Sequence, residues 1–225
     1  MVCKYVDLSR TITPGIGELL GHPPTTVNEF QTHASHGRSN AHLSYSIHCG
    51  THVDCPYHFF PAGNTVDEIP LDSFIGNGVL VDLQGKVEEG EGISIGKIME
   101  NSHICDLNDQ QLAQSIILIN TGWGAAYETE YYYHRNPYLA EDSAKFFAEK
   151  KVKAVGLDFP PDQRGGSTVH RILLGSNVLI IENLINLHLL RDRKFVVMAL
   201  PIKIFRQSGG PARVVACLSG EDNEC

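Results

Sequence analysis

Residues 141–161 read E-D-S-A-K-F-F-A-E-K-K-V-K-A-V-G-L-D-F-P-P. Acidic side chains open the segment and lysines close its first half, the charge order that complements a helix macrodipole. That order predicts a helix over 141–151. No turn residue intervenes before V-K-A-V-G-L-D-F, whose apolar and β-branched residues predict a strand that Pro160 and Pro161 terminate. Downstream the alternation repeats, with a helical turn near 168–174, an apolar strand N-V-L-I-I-E-N, a short helix over 184–190, and strands over 195–200 and 212–218. Helices feeding directly into buried strands mark a layered α/β arrangement.

The N-terminal half is richer in strand. K-Y-V-D-L at 4–8 alternates as a strand does, and 10–26 is a Pro/Gly-rich loop. H-L-S-Y-S-I-H at 42–48 predicts a strand with Leu43, Tyr45 and Ile47 on one face. Apolar runs at 79–83 and 116–120 predict buried strands, with short helices between them at 95–100 and 109–114. No repeat or linker divides the chain, so residues 1–225 are expected to form a single mixed α/β domain.

With 42% hydrophobic and 20% charged residues among 225, the composition is that of a folded soluble protein rather than a disordered one. A formal charge of −8, with Lys and Arg scattered singly, argues against nucleic-acid or anionic-membrane partners. No apolar run approaches the ~20 residues of a transmembrane helix. The opening M-V-C-K-Y-V-D-L-S-R lacks the apolar core of a signal peptide. Six cysteines, none in a C-x-x-C pair, are expected to be reduced, which places the chain in the cytoplasm. Eleven histidines are about twice what average composition gives, and that surplus needs a chemical explanation.

Residues 46–59, S-I-H-C-G-T-H-V-D-C-P-Y-H-F, concentrate it. His48, His52, Asp54 and His58 are separated by even intervals, so in extended backbone all four project from one face. Gly50, Thr51, Val53 and Pro56 disfavour a helix. Imidazoles and a carboxylate gathered this way make an open three-ligand metal site with a proton carrier beside it. Ordinary histidines on a polar strand face are the alternative, but the pattern arises by chance in only roughly one such chain per thousand.

Other chemically loaded positions are weaker alone. Glu182 interrupts an apolar strand, and buried carboxylates are paired or metal-bound. His170 lies twelve residues earlier, on a helical turn. Asp158 ends a strand, where α/β proteins place functional residues, yet it equally suits a turn cap. Trp123, Phe59, Phe60 and the run Tyr131–Tyr133 are candidate substrate-contacting aromatics, with packing as the alternative. Cys49 and Cys55 lie inside the motif at odd positions, opposite the histidine face, which favours packing over a nucleophilic role.

The string H-C-G-T-H-V-D-C-P-Y-H at 48–58 resembles the H-x-G-T-H-x-D-x-P-x-H signature of the metal-dependent cyclase family, which includes bacterial kynurenine formamidases and isatin hydrolases. Further matches run along nearly the whole chain: D-L-S near the start, N-T-G-W at 120–123, V-G-L-D-F-P, the spacing of His170 and Glu182, A-L-P-I and G-G-P-A-R-V-V. The resemblance implies that His48, His52 and Asp54 bind a divalent metal, zinc or manganese. In two-ion members Asp54 bridges to a second ion held by His170 and Glu182, and His58 is the general acid/base. It further implies a swivelling β/β/α domain with a β-barrel-like core, assembled as a homodimer or larger homo-oligomer. Two departures separate this chain from the formamidase pattern. Arg171 follows His170 where those enzymes carry a second histidine, and the first loop, G-E-L-L-G-H-P-P, has no tryptophan.

The expected activity is hydrolysis of a small aryl amide, lactam or related carbonyl compound, N-formylkynurenine-like or isatin-like, by metal-activated hydroxide with His58 moving the proton. A ring-forming cyclase or dehydratase with the same metal, and a non-catalytic metal-binding protein, are the alternatives.

Overall fold

The computed structural model describes residues 4–17 and 21–219. Cys3, Cys225, the start of the M-V-C-K-Y-V-D-L-S-R segment and residues 18–20 of the first loop lie outside the described residues. The chain begins with strand β1 (Lys4–Asp7), strand β2 (Thr26–Gln31), the single helical turn α1 (His33–His36) and strand β3 (Asn40–Ser44). It continues with β4 (His52–Asp54), β5 (Ile75–Asp82), β6 (Gly92–Ile93), α2 (Ile95–Glu100), α3 (Asp109–Ala113) and β7 (Ser115–Asn120). Then follow α4 (Glu130–His134), β8 (Tyr138–Leu139), α5 (Glu141–Lys150), β9 (Ala154–Leu157) and α6 (Thr168–Gly175). Strands β10 (Leu179–Glu182), β11 (Phe195–Pro201) and β12 (Gly209–Leu218) complete it.

Every residue of β7 is buried, and its period-two alternation sets the layers. Ile117 and Ile119 join a cluster with Val81, Val155, Leu157 and Ile180, roofed by Ile98, Leu112, Phe147 and Leu173 from the helices. Ile116 and Leu118 face a second cluster with Val53, Leu179, Ile181, Val197 and Val214. The sheet itself encloses that second cluster. Strands β5, β7, β9 and β10 run parallel, which requires the helical crossovers that the sequence alternation predicts. β12 pairs with β11, and its first residues pair with β4, so the order β12-β11-β5-β7-β9-β10-β4 returns to its start. The result is a closed seven-stranded barrel with β1 added to β12 outside the ring. The expected mixed α/β fold with a barrel-like core is the observed one.

Barrel closure also decides which way the site faces. Val53, Leu179 and Ile181 point inward, so His52, Asp54 and Glu182 point to the helical side, where α6 lies. The interior is packed tightly enough that glycine is required at Gly78, where a Cβ would sit 1.9 Å from the Phe195 ring. Gly78→Ala is therefore expected to lower stability by about 1–3 kcal/mol, read as a shifted urea midpoint with unchanged slope.

Two expectations need correction. The strand expected over 42–48 ends at Ser44, and Leu43, Tyr45 and Ile47 do not share a face. Leu43 is exposed on a hairpin with β2, while Tyr45 turns back to donate its hydroxyl to the Cys49 carbonyl. The helix expected over 184–190 shrinks to a single 3-10 turn, Leu187–Leu190. Asn183 and Asn186 both adopt left-handed backbone, φ 61°, which an α-helix does not accept.

Candidate metal centre

Two adjacent strands and three flanking segments supply the cluster. β4 presents His52 and Asp54, and the antiparallel register sets Glu182 of β10 directly opposite His52. On the other edge of β4, Gly209 lies opposite Asp54. A Cβ there would sit 2.3 Å from the Val53 carbonyl oxygen and 3.1 Å from the His48 ring, so glycine lets β12 pass this close. His48 comes from the turn before β4, His58 from the 3-10 turn Pro56–His58, and His170 from α6.

The structure thus brings together His48, His52, Asp54, His58, His170 and Glu182, but not along one extended face. Gly50, at φ 56°, and Pro56 break the run on either side, so only His52 and Asp54 share a strand face. The two flanking histidines return to the site through turns.

Asp54 is the hub. Its Oδ1 lies 2.6 Å from His48 Nδ1 and 3.3 Å from His52 Nε2, and its Oδ2 lies 3.4 Å from His170 Nε2. Glu182 Oε1 is 3.2 Å from that same His170 nitrogen. The outward nitrogens are already committed. His52 Nδ1 donates to the Gly50 carbonyl at 3.0 Å, and His170 Nδ1 donates to Asp162 at 2.5 Å. A carbonyl and an ionised carboxylate only accept, so either ring keeps a hydrogen on Nδ1, and once Nε2 gives up its proton the lone pair there faces Asp54 in His52 and both Asp54 and Glu182 in His170. Lone pairs and carboxylates converging in a buried space demand positive charge between them, as protons or as a cation.

The electrostatics express that demand. Burial opposes a charge on His52, yet Asp54, Glu182 and the Gly50 carbonyl outweigh it and raise its pKa to about 9. Burial likewise opposes a charge on His170, but Asp162, Asp54 and Glu182 lift it to about 12. Burial resists ionisation of Asp54, while His52, His170 and His48 hold it well below the usual carboxylate range. At His58 burial, joined by repulsion from His48 and His170, prevails over Asp54 and Glu182 and lowers the pKa to about 4. His58 stacks on His48 with ring centroids 3.9 Å apart, and no hydrogen bond among the described residues occupies its ring nitrogens.

A metal ion fits this arrangement. Asp54 Oδ2 is shielded from solvent and has no hydrogen-bonded partner. Ligand atoms of His48, Asp54 and His58 lie within 4.8 Å of one another, as do those of His52, Asp54 and Glu182. Nitrogen and carboxylate donors of this kind suit a divalent transition metal.

Three supporting residues escaped the sequence reading. Asp162 caps the first turn of α6 through the Val169 and His170 N–H groups while orienting the His170 ring. Ser208 Oγ holds His48 Nε2 at 2.7 Å. Asn183 donates to the same Gly50 carbonyl that fixes His52, and is itself held by the Tyr132 hydroxyl. Such outer partners set ligand tautomers, but no local motif marks them because they act across the fold.

The remaining candidates separate. Phe59 sits beside the cluster, with its ring 4.7 Å from His58 and 4.9 Å from His170, and the Arg171 guanidinium lies over it. Trp123 instead stacks on Tyr131 and donates to the Tyr132 carbonyl, and among the described residues no bond or ring contact ties it to the cluster. Asp158 caps a turn, accepting from Thr121 and Gly122. Cys49 and Cys55 are buried, and burial pushes both thiols up, Cys55 to about 12, which leaves neither a ready nucleophile.

A family model described as "Putative cyclase" matches residues 6–161. The kynurenine formamidase of Bacillus mycoides (strain KBAB4) is 26% identical over 216 residues, covering 94% of this chain and 96% of the relative. An isatin hydrolase bound to the product analogue thioisatinate superposes with a TM-score of 0.84 at 18% identity, over 97% of this chain and 93% of the other. A predicted metal-dependent hydrolase from Bacillus stearothermophilus does so with 0.72 at 24% identity, over 96% and 98%. At these identities the structural matches establish the shared fold.

Proposed function

The chain belongs to the putative cyclase family, and from that membership we propose that it is a metal-dependent hydrolase cleaving the C–N bond of a small aryl amide, lactam or related carbonyl substrate. One observation carries the reading: the buried Oδ2 of Asp54, which accepts no hydrogen bond and lies 3.4 Å from His170 Nε2, at the junction of two ligand triplets. The relatives' names, kynurenine formamidase and isatin hydrolase, supply the substrate class.

His48, His52 and Asp54 would hold one ion, with His170 and Glu182 joining Asp54 around a second in a two-ion centre. A divalent ion there, zinc or manganese, supplies Lewis acidity that polarises the substrate carbonyl and acidifies water. The chain's own groups do the rest. Gly50 and Asp162 fix the tautomers of His52 and His170, so the ligand nitrogens need no rearrangement. His58, neutral and with unoccupied ring nitrogens, accepts a proton from the attacking water and returns it to the leaving nitrogen. An arylamine leaves readily only once protonated, which is why a proton carrier is needed here. Phe59 walls the site between His58 and His170.

Ligation competes with protons. With pKa values of about 9 and about 12, His52 and His170 are protonated at neutral pH before metal binds, and an ion must displace those protons. Zinc affinity is expected to rise with pH by about tenfold per unit for each proton displaced, steepest below the His52 value of about 9 and shallower above it, where only the His170 proton remains to be displaced. Titration against a competing chelator at several pH values reads the slope, and a flat profile contradicts the ligand assignment.

The proposal includes a cytoplasmic homodimer acting on a small molecule. Cys49, Cys55 and Cys105 are thiols rather than disulfides, which suits a reducing compartment. The β2–β3 hairpin is marginal as a lone two-stranded unit and exposes Val27, Phe30 and Leu43, apolar area that a second copy would cover. Sedimentation equilibrium is expected to return twice the chain mass, and a monomer would overturn this part.

A further inference from the structure

Gly50 is the least constrained residue between His48 and His52. It takes φ 56°, and a Cβ there would sit 2.6 Å from the Tyr45 hydroxyl, so a side chain at this position collides. A glycine does not hold such a conformation by itself, because it populates left- and right-handed backbone about equally. The turn must therefore be held from outside. The peptide unit joining Cys49 to Gly50 is held at both ends by phenols. Its carbonyl accepts from the Tyr45 hydroxyl, and its N–H donates to the Tyr127 hydroxyl at 3.0 Å.

Tyr127 is itself fixed. It is buried just after the 3-10 turn Trp123–Ala126, and the Arg10 guanidinium covers its ring, 4.0 Å from the centroid. Tyr132 packs edge to face against it with centroids 5.2 Å apart. Arg10 is anchored by its Nη2, which donates to the Gly124 carbonyl at 2.6 Å, and by its backbone N–H, which donates to Thr51 Oγ1 at 2.9 Å. Burial raises the pKa of both phenols, so Tyr45 and Tyr127 keep their hydrogens at neutral pH. Beyond this peptide, the Gly50 carbonyl accepts from His52 Nδ1 and from Asn183. The peptide that Tyr127 holds thus lies between the two imidazoles, whose rings stand edge to face at 84° with centroids 5.3 Å apart.

We propose that Tyr127 is a positioning residue for the metal centre: by holding the Gly50 N–H, its hydroxyl fixes the turn between His48 and His52 in the conformation that presents both rings to one ion. Among the described residues no bond or ring contact ties Tyr127 to either imidazole, so it acts through the backbone. The inference rests on the metal-dependent reading above and gives a residue outside both ligand triplets a part in ligation.

Tyr127→Phe deletes the hydroxyl and keeps the ring beneath Arg10. Its zinc affinity, measured against a competing chelator, is expected to fall about tenfold. The visible spectrum of the cobalt(II)-loaded variant is expected to shift, because that spectrum reports ligand geometry. Gly78→Ala, a substitution inside the barrel, supplies the comparison for lost stability alone and should keep the wild-type affinity and spectrum. Tyr45→Phe releases the other end of the same peptide and is expected to change both readings in the same direction, so the test stands even if Tyr127→Phe does not fold. Wild-type affinity and spectrum in folded Tyr127→Phe, or in Tyr45→Phe where only that variant folds, overturn the inference. Equal losses in Gly78→Ala overturn it as well. If the wild type binds neither zinc nor cobalt, the metal-dependent reading falls and this inference with it. If the wild type binds both and Tyr127→Phe binds them identically, this inference alone falls.

Discussion

Replacing Asp54 with alanine is expected to strip the protein of bound metal and reduce turnover by about a thousandfold or more. The size follows from the position of the carboxylate. Asp54 is the only residue common to both ligand triplets, and its two oxygens face His48, His52 and His170. Losing it removes a ligand from every ion the site can hold, and several kcal/mol of Lewis-acid stabilisation corresponds to about three decades in rate. Asp54→Asn keeps the shape while removing the charge, and should likewise lose metal, which separates ligation from a folding defect. Elemental analysis of the purified variants decides the matter. One tightly bound ion per chain retained in Asp54→Asn would remove Asp54 from the ligand set.

The second large effect is expected at His58 and has the opposite signature. His58→Gln should keep its metal and lose roughly a hundredfold or more in turnover. The ring stacks on His48 beside the cluster and, among the described residues, its nitrogens carry no hydrogen bond, so both are available to take a proton and hand it on. Glutamine fills similar space and can hydrogen bond, but it does not carry a proton between two groups. Loss of metal together with activity would instead make His58 a ligand, a role that its place in one of the triplets permits.

How far the sequence could be read depended on whether the relevant contacts were local. His48, His52, Asp54 and His58 lie within eleven residues, so their chemistry was legible although their backbone was not. The even spacing invited a single strand. What defeated that reading was Gly50 in a left-handed turn and Pro56 opening a 3-10 turn, with Asp54 drawing in the His48 ring and His58 stacking on it from outside the strand. The parallel strands β7, β9 and β10 were visible because their apolar runs are buried on both faces, and β5 because Val79 and Val81 alternate into the core. β2 was not, since it buries neither face, and the alternation at 42–48 caught only the second half of its partner β3. Asp162, Ser208 and Asn183 share the same obscurity. Each is an ordinary polar residue made important by a partner that the fold brings to it, 8, 160 and 133 positions away in sequence.

The central claim is that the Asp54 cluster binds a metal that drives hydrolysis. Its most direct test follows the product of an aryl formamide or isatin by mass spectrometry, with the same preparation measured as purified, after chelation, and after zinc or manganese is restored. The account predicts a product heavier than a cyclic substrate by one water, or formate and free arylamine from a formamide. It also predicts that this activity disappears with the metal and returns with it. A product lighter by one water, or turnover indifferent to chelation, would contradict it.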